Sequence, residues 1–278
     1  MNVGSKTAVA ILIVLALATA VACLALPPLP QPPEYHQFAD QRPLLGIVNF
    51  FNVSSNIAFL LVGGAGIVVL LRNRPRTGSE LLLAPALRVP YLTMFAAVAL
   101  TSVGSAYYHL APDNSRLMWD RLPMSVGFMA LLAAMISERI HPRAGLALLG
   151  PLVLVGLASV IYWNFGEGAG TGNLGPYIAV QAFAIIAVLL IVLLFPKRHA
   201  RGGDIAVAVG WYALAKAAEF FDREIFSAGQ IVGGHALKHL LAALATFWIL
   251  RMLWKRGPVT DSATATNAAA GGRRRVIS

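Results

Sequence analysis

Long apolar runs alternate with short polar connections along this chain. Eight blocks stand out, at about 7–26, 53–71, 89–111, 117–137, 144–163, 176–195, 204–221 and 233–254. Each approaches the roughly 20 residues that a membrane-spanning helix needs. The connections between them are rich in Arg, Pro, Gly and Asp. Runs such as 184–195 show no alternation of apolar and polar positions, which argues against barrel strands. The expected fold is therefore all-α: a polytopic membrane helix bundle, with a seven-helix core and an extra N-terminal helix. The expected organisation is an anchor or signal segment over 1–27, an outside segment over 28–52, the membrane core over 53–256 and a disordered basic tail over 257–278.

Composition agrees with the pattern. The 278 residues are 58% hydrophobic and 12% charged, too apolar for a soluble domain of this length. The formal net charge of +10 raises the question of nucleic acid. Its distribution answers that question. Arg72, Arg74, Arg76 and Arg88 flank one connection. Arg139 and Arg143 flank the next but one, Lys197, Arg198 and Arg201 a third, and Lys255, Arg256 and Arg273 to Arg275 belong to the tail. The intervening connections carry only Arg42, Arg116 and Arg223, with Arg121 near a helix start. This alternation follows the positive-inside rule and places the basic loops and the C-terminus in the cytoplasm. The partner it predicts is the lipid bilayer, not nucleic acid.

Cys23 is the single cysteine, so an intrachain disulfide is excluded. The first block has the features of an uncleaved anchor, although Ala20-Val21-Ala22 also resembles a cleavage site. The proline-rich stretch that follows is expected to be extended. The glycine-rich stretch 164–175 is expected to be an outside loop; it lacks the Lys-Ser/Thr ending of a phosphate loop.

The polar residues inside the apolar blocks carry the chemistry. The third block runs outward from Arg88 and ends with Ser105 and His109, four residues apart and so on one helix face. The fourth descends with Asp120 in its first turn, and the last descends with His235 and His239 in its first two turns. His36, His141 and His199 fall in loops. Ionisable residues inside spanning segments are costly, which makes them functional by default. Three imidazoles at one depth suit a zinc site with a fourth position open to water. Each residue also has a plainer reading: a histidine bonded across helices, a serine packing helices, or Asp120 paired with Arg116 or Arg121. Glu219 and Asp222 are placed either to orient the imidazoles or to pair with Lys216 or Arg223. Tyr107, Tyr108 and Trp119 are expected in the interfacial aromatic belt.

The segments 101–123 and 233–244 resemble the signature of the alkaline ceramidase family. This is part of a wider group of seven-helix membrane hydrolases that includes adiponectin-type receptors. The matching elements are Ser-x3-His ending one helix, an Asp eleven residues on, and His-x3-His on the last helix. Residues 49–61 resemble the family's first core helix, so the likeness spans roughly 40–255. It implies that His109, His235 and His239 bind zinc (Zn2+), that Asp120 contacts the zinc-bound water, and that Ser105 assists at the reacting carbonyl. The implied activity is amide hydrolysis of a membrane lipid, ceramide or another N-acyl lipid, in sphingolipid or related lipid metabolism. The family's acidic calcium site is not matched: here the region offers Asp40 and then Asn49. The same histidines would also serve a zinc-containing receptor or transporter, or a haem protein. The Ala- and Arg-rich chain suggests a bacterial inner membrane, with the site towards the periplasm.

Overall fold

The computed structural model describes residues 3–72, 84–196 and 201–255. Arg74, Arg76, Lys197, Arg198, His199, Arg256 and the proposed disordered tail with Arg273 to Arg275 lie outside the described residues. Within them the chain is helical, with no strand. The long helices are α1 (Val3–Ala25), α3 (Ile57–Leu71), α4 (Pro85–Leu110), α5 (Asn114–Arg139), α6 (Pro142–Gly168), α7 (Gly175–Leu194), α8 (Asp204–Phe220) and α10 (Gly234–Trp254). Two short helices, α2 (Phe50–Ser54) and α9 (Asp222–Gly229), precede α3 and α10. This is an all-α, multi-pass membrane bundle.

Among the described residues, seven helical segments are long and apolar enough to cross a membrane, the second of them formed by α2 and α3 together as Phe50–Leu71. The remaining block, 204–221, is represented by α8, whose 17 residues rise about 26 Å and lie at the short end of a spanning helix. It packs along α10. The core span starts at Phe50, three residues before the block boundary at 53. A tight turn at Asn49, which adopts the left-handed conformation with φ 49°, launches α2. Asn tolerates that conformation better than most residues.

Helix α5 is the centre of the bundle, packed against α4, α6 and α7. Its buried positions include Leu117, Met129, Ala130, Ala133 and Ala134, all nearly inaccessible. Many of its buried residues are small because helices in lipid associate through close packing, not through hydrophobic expulsion from water. Two glycines mark close backbone approaches beside the site. A Cβ on Gly104 would lie 2.1 Å from the carbonyl oxygen of Trp119, so α4 and α5 touch backbone to backbone beside Ser105. A Cβ on Gly234 would lie 2.1 Å from the carbonyl oxygen of Ala218, which fixes α10 against α8. Helix α1 packs mainly on α7 and is otherwise largely exposed, as an element outside the core should be.

Residues 26–49 form a strap over one end of the bundle. The proline stretch is not extended throughout, because Pro33–His36 makes a 3-10 turn. The strap is pinned by Leu29 donating its amide to Asn173 Oδ1 at 3.1 Å, Gln31 to Glu167 Oε1 at 3.0 Å, and Ala39 to Asp222 Oδ2 at 2.9 Å. The 164–175 loop is also shorter than expected: α6 continues to Gly168, with Trp163 Nε1 donating to Glu167 Oε1 at 3.1 Å.

Candidate metal centre

The helix ends under the strap bring the three histidines together. His109 is in the last turn of α4, while His235 and His239 occupy the first two turns of α10. One ligand atom from each lies within 4.8 Å of the others, and all three residues are buried. Ring centroids are 4.9 Å apart for His109 and His235, 5.0 Å for His109 and His239, and 5.1 Å for His235 and His239. Nitrogens bound to one zinc at ~2.0–2.1 Å stand about 3.4 Å apart, inside the 4.8 Å that encloses these ligand atoms. Both ring nitrogens of His109 are buried without a hydrogen-bond partner among the described residues. A buried imidazole without partners is unfavourable unless a ligand completes it. The donor set therefore fits a metal ion.

The surroundings orient the rings. Ser55, at the break between α2 and α3, hydrogen-bonds Nδ1 of His239 at 2.8 Å and leaves Nε2 for another ligand. Lys238 donates to Nε2 of His235 at 2.9 Å and to Oε1 of Glu219 at 2.9 Å. A lone pair cannot serve ammonium and metal together. A metal on His235 therefore takes Nδ1, or takes Nε2 with Lys238 swung onto Glu219. Phe38 of the strap covers the cluster, with its ring 4.6 Å from that of His109 and 4.5 Å from that of His235. Asn49 ties the strap to the site by donating to the His109 carbonyl at 2.9 Å, satisfying an acceptor freed at the end of α4.

Ser105 on α4 and Asp120 on α5 are brought together by the packing of the two helices. Both are buried and line the same end of the cavity, with the Ser105 hydroxyl beside the Asp120 carboxylate across the Gly104 contact. Asp120 pairs with neither Arg116 nor Arg121. Arg116 lies with Asp113 at 3.7 Å, and Arg121 donates to Gln31 Oε1 at 2.6 Å. Glu219 is bonded to Lys216, Lys238 and the Tyr35 hydroxyl, so it does not hold an imidazole directly. Asp222 instead accepts the His235 backbone amide at 2.8 Å, at the start of α10. Burial, followed by the Glu219 carboxylate, pushes the Tyr35 phenol well above its ordinary range.

Ser105, Asp120, Lys238, Glu219 and His239 line one end of a cavity of about 600 Å³. From there it runs between α4, α5, α7, α8 and α10 past Met124, Phe128, Val188 and Ile205 to Ile249, with almost entirely apolar walls. The ten residues of α10 from His239 to Ile249 cover about 15 Å.

Several expectations change. Tyr107 and Trp119 are exposed, as belt residues would be, but Tyr108 is buried and bonded to His36 Nδ1 at 2.9 Å. Asp40 has its carboxylate engaged by Arg42 through two side-chain bonds of 2.8 Å each. Burial would raise its pKa, but the Arg42 hydrogen bonds outweigh this and hold it below the ordinary 3.8. Ser55, Lys238, Arg121 and Phe38 had no site role in the sequence reading. The run Asn49, Asn52, Ser55, Asn56 was an available signal, because polar groups at an apolar helix start require partners. No family model matches the chain, and no curated protein matches it.

Proposed function

We propose that this protein is a zinc-dependent integral membrane amidohydrolase, ceramidase-like, that cleaves the amide of an acyl lipid. The observation that carries the reading is a cluster of three buried histidines, one of which, His239, shares the polar end of a long apolar cavity with Asp120 and Ser105. Nitrogen-only donors of this kind favour zinc among the common metals. When bound, zinc supplies the Lewis acidity that activates water near neutral pH. Asp120 takes the proton as water adds to the amide carbonyl and returns it to the departing amine. Ser105 turns its hydroxyl from Asp120 to the carbonyl oxygen as negative charge develops there, a contribution of about 3 kcal/mol for a well-placed donor. The apolar cavity holds an acyl chain and leaves the amide at the polar end. The basic residues Arg72, Arg88, Arg139, Arg143 and Lys255 gather at the other end of the bundle, which by the positive-inside rule faces the cytoplasm. The site then opens towards the periplasmic face of a bacterial inner membrane.

The test is Asp120→Asn in the purified protein, with zinc content and fatty-acid release from ceramide measured together. A drop in turnover of about 10²–10⁴-fold with zinc retained supports a proton-transfer role. Retained turnover, or wild-type protein that binds zinc but cleaves no acyl lipid, refutes the reading in favour of a receptor or transporter.

A further inference from the structure

Arg121 is a buried cation without a carboxylate bonded to it. It is 4% exposed and lines the polar end of the cavity. Its Nη2 is held by the neutral side chain of Gln31 at 2.6 Å. Its guanidinium carbon lies 4.2 Å from the ring centre of Trp163, 4.9 Å from that of Tyr177 and 5.5 Å from that of Tyr35. No ion pair includes it among the described residues. Its Nη1 is buried and has no hydrogen-bond partner there.

This arrangement is costly if it serves packing alone. A buried charge needs a partner, and aromatic faces with one neutral acceptor offset only part of the desolvation. The aromatic faces and Gln31 do fix the plane of the guanidinium, leaving Nη1 without an acceptor. A fixed guanidinium edge suits a carboxylate or phosphate, with two parallel N–H donors. The charges around the same end point the same way: Arg121, Lys216 and Lys238 exceed Asp120 and Glu219 by one positive charge.

The geometry points to Arg121 as the residue that receives an anionic oxygen of the bound lipid, so that the preferred substrate is an N-acyl amino acid carrying a carboxylate beside its amide. This rests on the amidohydrolase reading and narrows it. Asp120 and Arg121 are neighbours at the start of α5, and both line the cavity. An amide brought to Asp120 carries its carboxylate, two bonds from the nitrogen, in the same cavity that Arg121 lines. Water adds across the amide: a C–O bond forms at the carbonyl carbon, the C–N bond breaks, and the nitrogen leaves with a proton as the free amino acid. No oxidant or reductant is involved.

The experiment compares N-palmitoylglycine with the neutral N-palmitoylethanolamine. Binding is first measured on the full chain in detergent after metal removal by a chelator, so that affinity is read without turnover. The wild type should bind the acid at least about tenfold tighter, the weight of one charge-assisted contact. Arg121→Gln should bring the two within about twofold, and Arg121→Lys should restore part of the difference. Equal affinities in the wild type, which needs no variant to fold, overturn the proposal, as does a preference that survives in a folded Arg121→Gln protein. Zinc-loaded protein is then assayed for palmitate release. Preference without release from either lipid keeps the anion site and removes the amidase. Palmitate release from both lipids without preference for the acid does the reverse.

Discussion

Ser55 shows how much of the site depends on residues that never touch a substrate. Its hydroxyl bonds Nδ1 of His239 at 2.8 Å and leaves Nε2 available to a metal ion. Partners of this kind typically contribute 10–100-fold to metal affinity. Ser55→Ala should therefore weaken zinc binding by about that factor in a chelator competition, with little change in thermal stability; unchanged affinity would mean that His239 is oriented by packing alone. His109, His235, His239, Ser105 and Asp120 were legible in the sequence because each is polar in an apolar run and the topology gave each a depth. Arg121 and Lys238 were not. A cation in the first turns of a spanning helix reads as one that snorkels to the interface, and only the fold shows that these two turn inward. Tyr108 was misread for the same reason: its neighbour Tyr107 faces out while it faces in, a distinction that one residue's hydropathy does not carry.

At the scale of the helix, the site is held by backbone contacts. Ser105 reaches Asp120 because Gly104 lets α4 approach the Trp119 carbonyl on α5. Gly104→Ala forces a Cβ to within 2.1 Å of that oxygen, where only a helix shift relieves it. The expected result is a loss of about 1–3 kcal/mol in stability, seen as a lower melting temperature, with turnover reduced further as Ser105 and Asp120 separate. Gly150→Ala on α6 is the control, with nothing within 4 Å of its Cβ, and should be silent. If both variants behave alike, the α4–α5 contact does not organise the site. The helices themselves were readable to within a few residues from hydropathy. The close approaches were not, since a small residue in a membrane helix has the same appearance whether it meets a neighbour or lipid.

The whole molecule combines an apolar cavity, a buried histidine cluster of which His239 lines one end of that cavity, and a strap over the cluster. The strap was the least legible part. A proline-rich stretch has no periodicity, and its role comes from distant partners: Phe38 on the histidines, Gln31 on Arg121 and Glu167, and Ala39 on Asp222. The bundle was readable because lipid obliges the backbone to bond within each helix, so long apolar blocks have few other structures available. The claim on which the rest depends is that the three histidines hold zinc. The direct measurement is the metal content of detergent-purified wild type beside that of His235→Ala/His239→Ala, by elemental analysis, with both samples shown to be folded. The account predicts one zinc per wild-type chain and none in the double variant. Folded wild type without zinc, or a variant that keeps it, would contradict the account.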